Sequence, residues 1–230
     1  MTEMVRIAVV NHKGGVCKTT VALGLASAAA AAGRRCAVID LDPQANATTG
    51  LAVWEPARTV DDVLGDDGGL VADVLVPAGW ERVAAVPDVA ASSPMLARRE
   101  PQLANDPVGA QDRLDAALDG LDHDLVVLDC PPSLGLLTVN ALFAADAALV
   151  VTEPSAWAAD GVAQILRTVS RIARRRGGAL EVAGIVVNRL GRTRDARYWH
   201  DQLVETYGDQ VVAAVSLRSN IFVVEAVLYH

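Results

Sequence analysis

The sequence predicts an α/β fold: a mostly parallel, twisted sheet with helices on both faces. Short apolar runs alternate with helical stretches along the whole chain, as they do where strands are buried on both sides. The composition is 52% hydrophobic but only 4% aromatic, and Ala and Val dominate. That suits closely layered helices and strands better than an aromatic-anchored surface. The first apolar run also passes through a Gly-rich loop directly into an Ala-rich helix. At 230 residues the expectation is a single domain, 1–230. A chain of that size buries roughly 70–75% of its unfolded surface and needs no disulfide staples.

Strands are expected at 6–10, 36–41, 82–86, 125–129, 147–151, 182–188 and 211–215. Helices are expected at 18–32, 111–121, 134–144, 160–175, 195–207 and 222–228. Residues 61–79 read as loop-rich, with a turn at Asp66-Asp67-Gly68-Gly69, and 88–108 as loop with room for a short helix. Cys17, Cys36 and Cys130 are odd in number, and Cys130, 113 residues from Cys17, has no nearby His or second Cys. They argue against a disulfide framework, zinc or an iron–sulfur cluster, and for a reducing cytoplasm. The longest apolar stretch, 21–32, is too short to span a bilayer, and no signal peptide precedes the first strand.

The Gly-rich loop reads Asn11-His12-Lys13-Gly14-Gly15-Val16-Cys17-Lys18-Thr19-Thr20. Strand, loop and helix in this order are the setting of a P-loop NTPase. Its backbone N–H groups, from Gly14 and Gly15 through Val16, Cys17 and Thr20, would curl around phosphates at a helix N-terminus. Lys18 would meet the β- and γ-phosphates of ATP, and the Thr19 hydroxyl would coordinate Mg²⁺. The standard pattern is incomplete, because His12 and Cys17 stand where glycines are usual. Of 20 basic residues, 18 are Arg, and the two Lys are Lys13 and Lys18. Arginine's planar fork cannot replace a compact ammonium in a tight loop, so two lysines at this place argue for phosphate chemistry.

Two apolar strands end in acid. Asp40 and Asp42 close the second, sharing one face if the strand persists that far, and Asp129 closes the fourth. After a P-loop, an apolar strand ending in Asp places a carboxylate beside the metal. The loop Lys-Gly-Gly-x-x-Lys-Thr, residues 40–48 (DLDPQANAT) and residues 129–142 (DCPPSLGLLTVNAL) resemble the deviant Walker A, switch I and switch II of ParA-type partition ATPases, the ParA/Soj and MinD group. The resemblance runs from Val5 to about Ala226; relatives continue through a further loop and a final helix, so the expectation is either a short member without that helix or a chain whose end lies beyond His230. The resemblance implies that Lys13 reaches the nucleotide of a partner subunit, that Asp42 polarises the attacking water, and that Asp40 lies in the metal's outer shell. Asn188, in Asn188-Arg189, matches a family contact to adenine, with a turn residue after a strand as the alternative.

Nine Arg fall between Arg167 and Arg197 against Glu181 and Asp195, in a chain of net charge −8. Arg167, Arg171, Arg174 and Arg175 share one helical face, which is either a solvated surface or a phosphate contact. The resemblance implies an ATP-dependent homodimer that binds non-specific DNA: Arg192 matches a family contact, a second family arginine falls at Phe222 with Arg218 close by, and Arg194 and Arg197 join Arg192 in the basic cluster, with a solvated surface as the alternative. The resemblance further implies slow hydrolysis of ATP stimulated by a ParB-like adaptor, in a cytoplasmic, nucleoid-associated protein with no membrane role. No helix-turn-helix precedes the first strand, so sequence-specific reading is expected of a partner. The rivals are a membrane-cycling ATPase of the MinD kind, which residues 222–230 are too short and too poor in Lys and Arg to anchor, and a nucleotide-gated DNA-binding module without hydrolysis.

Overall fold

The computed structural model describes residues 4–214 except 66, 67, 82, 107 and 108. Eight strands form one sheet: β1 (Val5–Val10), β2 (Cys36–Asp40), β3 (Leu75–Pro77), β4 (Asp88–Ala90), β5 (Leu125–Asp129), β6 (Ala147–Thr152), β7 (Glu181–Val187) and β8 (Val211–Ala214). The α-helices are α1 (Lys18–Ala31), α2 (Asn46–Gly50), α3 (Val60–Val63), α4 (Arg99–Leu103), α5 (Arg113–Ala117), α6 (Leu136–Ala144), α7 (Ala158–Arg175) and α8 (Arg194–Tyr207). The strand order is β3-β4-β2-β5-β1-β6-β7-β8, parallel throughout except for the antiparallel β3–β4 pair. The chain moves outward from β1 to one side, returns through β5, and continues on the other side through β6. The switch point therefore lies at β1, where α/β sheets bind ligands at the carboxyl ends of their strands.

Alternation within the strands divides the core. Ile7, Val9, Val38, Val127, Leu149 and Val186 face α1 and α2, where Leu25, Ala22, Ala26 and Ala29 meet them. Ala8, Val10, Ile39, Leu128, Val150 and Ile185 face the other way, towards α5, α6 and α7. Small alanines on α1 let the helix approach the sheet closely, and Gly33, at φ 67, ends it in the left-handed region that favours glycine. On α7, Val162, Ile165, Val169 and Ile172 are buried while Arg167, Arg171, Arg174 and Arg175 are exposed, as their helical spacing requires. No helix among the described residues is long and apolar enough to cross a membrane.

Several expectations need correction. Within 82–86 the described residues form no strand: the Ala85 N–H bonds Ala30 O at 3.2 Å, and Val86 is exposed. Pro87, which has no N–H, follows, and the strand proper is β4, with Val89 and Ala90 buried against β2. The loop-rich segment 61–79 contains the edge strand β3, and 88–108 contains β4, a 3₁₀ turn at Pro94–Arg98 and α4. The helix at 111–121 shortens to α5, and that at 134–144 starts at Leu136, leaving 133–135 as loop. The last strand's end at 215, the helix at 222–228, Asp66, Asp67 and Arg82 lie outside the described residues.

Asn140, fully buried on α6, accounts for part of the 129–142 run in structural terms. Its Nδ2 donates to Ala110 O (2.7 Å) and Leu136 O (2.9 Å), and its Oδ1 accepts the Leu114 N–H at 3.2 Å, tying α5 to α6. Asn140→Ala removes one buried and two part-buried hydrogen bonds between α5 and α6 and their neighbours. It is expected to lower stability by about 2–4 kcal/mol in urea titration, with the denaturant slope unchanged.

Candidate functional site

The loop is shaped by its first residue and two left-handed residues. Asn11, buried after β1, accepts the Lys13 N–H on Oδ1 at 3.0 Å and donates through Nδ2 to Val151 O, which turns the chain away from the sheet. Gly15 stands at φ 79 and Cys17 at φ 68, ψ 39. Cys17 is the N-cap of α1 and offers no side-chain cap, so the first-turn amides of α1 have no capping side chain. Val16 anchors the loop in the core, and Lys18 is only 7% exposed at the first position of the helix. Gly14 faces Pro132, and a Cβ placed on it would be 3.9 Å from Pro132 Cβ, so the loop touches the segment after β5.

Asp40 and Asp129 are level on neighbouring strands β2 and β5 and fully buried. Asp40 is satisfied internally: Oδ2 accepts the Thr48 N–H (2.8 Å) and hydroxyl (2.7 Å), and Oδ1 accepts the Asp42 N–H at 3.1 Å. Neither oxygen of Asp129 has a partner with hydrogen-bond geometry, although the nearby Thr19 hydroxyl offsets part of its burial. Burial, then Asp40, push Asp129 from 3.8 to about 7. Burial raises Asp40 to about 6 against its hydrogen bonds. The Lys18 ammonium is lowered by burial, with Asp129 the largest opposing influence. β2 ends at Asp40, so Asp42 lies beyond the strand, in a turn. It is buried too, with its Oδ1 accepting the Gln44 N–H (3.0 Å) and its carbonyl accepting the Ser92 hydroxyl (2.7 Å).

At the loop's other side, Asn188 follows β7 and donates through Nδ2 to Val16 O at 3.2 Å, while its Oδ1 accepts the Arg189 N–H at 2.8 Å. Arg189, at φ 57, donates to Gly15 O at 3.1 Å and pairs with Glu153 at 3.4 Å. Lys13 turns outward and also pairs with Glu153. The structure thus brings together Lys18, Thr19, Asp40, Asp42 and Asp129 on one side of the loop and Lys13 and Asn188 on the other, with Thr20 exposed. Arg192, Arg194 and Arg197 are exposed on the loop after β7 and the start of α8, whose N-cap Thr193 accepts the Ala196 N–H. Arg218 lies outside the described residues. Arg176, unlike its exposed neighbours, donates through Nη1 to Leu142 O (3.4 Å) and to Ala145 O at the end of α6.

Sequence reasoning missed four contributors: Thr48 and Ser92, which hold Asp40 and Asp42, and Glu153 and Arg189, which hold the loop. Thr48 and Arg189 stood inside recognised motifs without a role. Ser92 lay in an unassigned loop, and its importance depends on β4 pairing with β2. The residues present fit a magnesium-bound polyphosphate. The uncapped amides and Lys18 suit phosphate oxygens, and the orphaned buried carboxylate of Asp129 suits a hydrated cation.

Because folding raises both acids, the metal-free folded state holds more protons than the unfolded chain between about pH 4 and 7, and stability falls as pH rises through that window. Asp129→Asn should therefore raise the melting temperature of metal-free protein at pH 8, by on the order of 5 °C, while abolishing stabilisation by ATP and Mg²⁺. Calorimetry at pH 5 and 8 checks both signs. Cys17→Gly removes a left-handed non-glycine residue and should stabilise by about 1 kcal/mol, with nucleotide affinity equal or higher. A lower melting temperature would show that the thiol, rather than the backbone, governs this position.

A family described as an AAA domain matches residues 4–182. The chromosome-partitioning ATPase Soj of Thermus thermophilus is 38% identical over 216 residues, covering 93% of this chain and 81% of that protein. The sporulation initiation inhibitor protein Soj of Bacillus subtilis is 33% identical over 218 residues, covering 93% and 84%. A crystal structure of cobyrinic acid a,c-diamide synthase from Mycobacterium smegmatis, with bound ATP analogue and magnesium, superposes with a TM-score of 0.82 at 29% identity, covering 97% of this chain and 92% of that one. Matched in sequence over most of its length and in fold throughout its sheet, the chain belongs to the ParA/Soj family of P-loop ATPases.

Proposed function

We propose that residues 1–230 form one ATPase domain that partitions DNA. It dimerises on ATP, holds DNA without sequence preference on the nucleoid, and hydrolyses ATP slowly under stimulation by a ParB-like adaptor. One observation carries this reading: the chain's two lysines occupy opposite settings. Lys18 is buried inside its own phosphate cradle, whereas the Lys13 side chain is 48% exposed and directed outward. A second lysine held away from its own cradle is consistent with one that serves the cradle of another copy. The partition names of the Soj relatives point the same way.

In this reading the amides of Gly14 to Thr20 and the Lys18 ammonium bind the phosphates. Thr19 and Asp129 would hold Mg²⁺, with Asp40 behind them, and the cation would supply neutralisation of phosphate charge. Asp42 orients the water that attacks the γ-phosphate, a role its own carboxylate fills without binding the ground state more tightly. Asn188 borders the adenine side. Arg192, Arg194, Arg197 and Arg218 contact DNA phosphates.

The test is sedimentation velocity with ATP and Mg²⁺, followed by titration onto two unrelated duplexes across a salt series. The parent should dimerise and bind both duplexes alike, since phosphate contacts do not specify bases. Lys13→Ala should bind ATP but remain monomeric, and Lys18→Ala should not bind ATP. Arg192→Ala with Arg194→Ala should flatten the slope of log affinity against log salt by up to about 3–4 units, at about 0.9 per phosphate contact. An ATP-loaded parent that stays monomeric would overturn the reading, as would DNA affinity indifferent to ATP. Phosphate release with DNA present separates slow hydrolysis from nucleotide-gated binding alone.

A further inference from the structure

We infer that Glu153 is a positioning residue that holds Lys13 on its own chain and thereby sets how readily Lys13 reaches the nucleotide of a second copy. The inference rests on the cross-subunit reading of Lys13 given above.

Glu153 comes directly after β6, beside the loop that follows β1. One carboxylate oxygen takes the Lys13 ammonium, and the other accepts Arg189 Nη1 at 3.4 Å. The same Nη1 donates to Gly15 O at 3.1 Å. A single side chain therefore ties together the upstream lysine, the middle of the phosphate loop and the turn after β7. Lys13 and Glu153 also border a cavity of about 190 Å³ that includes Ser155 and Trp157. The Ser155 hydroxyl is buried with no partner, and Trp157 is 75% exposed, so this face carries unsatisfied polar and apolar surface beside Lys13. Neither feature is needed by the phosphate cradle of the same chain.

An ammonium shared between Glu153 and another copy's phosphates would hold a carboxylate against a polyanion, so reaching across favours opening of the Lys13–Glu153 pair. Opening it leaves that carboxylate unpaired by Lys13 and facing the incoming phosphates. Both effects oppose association. Arg189 limits the second, because it stays on Glu153 after Lys13 departs and neutralises it. The pair is half-exposed, 48% and 21% at the two side chains, so its hold is modest. Removing the carboxylate charge should lower the concentration at which ATP drives dimerisation by about two- to five-fold. Glu153 bonds Lys13 and Arg189 and not the groups around Lys18, so calorimetry of ATP binding to the single chain, run beside each threshold, separates a loop effect passed through Arg189 from an effect on Lys13.

The experiment compares the parent, Glu153→Gln, Glu153→Asp, Lys13→Ala and Lys13→Ala with Glu153→Gln. Each is measured by sedimentation velocity over a concentration series with ATP and Mg²⁺. Circular dichroism checks folding, and Glu153→Ser replaces the Gln variant if that one is unfolded. The expected result is a lower threshold for Glu153→Gln, a near-parental threshold for Glu153→Asp, and no effect of Glu153→Gln when Lys13 is absent. A purely structural role would instead destabilise the fold alike in both backgrounds. An unchanged or raised threshold for Glu153→Gln, with Lys13→Ala still monomeric, overturns this inference and leaves the proposed function standing. A Lys13→Ala protein that dimerises like the parent overturns the cross-subunit reading and this inference with it.

Discussion

The register that sets Asp40 level with Asp129 puts two carboxylates on adjacent parallel strands, roughly 4.8 Å apart in backbone spacing and closed off from water. Burial pushes both towards their neutral forms, Asp40 adds its repulsion at Asp129, and burial pushes Lys18 towards its neutral form against the attraction of Asp129. No local rearrangement relieves this, because each acid is the last residue of a strand whose interior is packed on both faces. Asp40 escapes part of the penalty through Thr48 and the backbone of Asp42. Asp129 is relieved only in part, by Thr19 and Lys18, and it is the carboxylate that a bound cation would complete.

From this pair the surrounding segments take their shape. Thr48 binds Asp40, so α2 is drawn over the end of β2, and the turn carrying Asp42 is held between them. Ser92 binds both the Asp42 carbonyl and the Thr48 hydroxyl, linking that turn to the chain leaving β4. On the other flank, Pro132 lies against Gly14, and the Thr138 hydroxyl closes on Ser133 O at 2.6 Å, fixing the start of α6. The segment after Asp129 therefore touches the phosphate loop, and the segment after Asp40 is held by α2 and the chain leaving β4. Left-handed backbone at Cys17, Ala45 and Arg189 gathers around the same place, as strained residues do where packing over-determines a functional geometry.

The local sequence determined those features whose physics is local. An apolar run ending in acid can be read as a buried strand because burial on both faces needs no partner to be identified, and β1, β2, β5, β6 and β7 all fall where their runs predict. The loop from Asn11 to Thr20 is likewise legible, since left-handed turns, amides and an ammonium within ten residues leave few other uses. The amphipathic spacing of α7 separates its arginines from its buried aliphatics in the same way.

What only the tertiary structure decided is pairing between distant segments. Residues 83–86 are apolar enough for a strand, yet Ala85 bonds to the end of α1 while the less apolar Asp88–Ala90 finds β2. The short α2, α3 and α4 have too few turns to leave a period, and they form because caps and neighbours hold them, as Asp62 does for Thr59 at α3. Lys13 was visible as a second lysine, but its resting partner Glu153 is 140 residues away and meets it because β1 and β6 lie side by side. Asn188 likewise reaches Val16 across 172 residues. A sequence shows which residues can carry charge or bend the chain, and the sheet order, fixed by long-range burial, decides which of them meet.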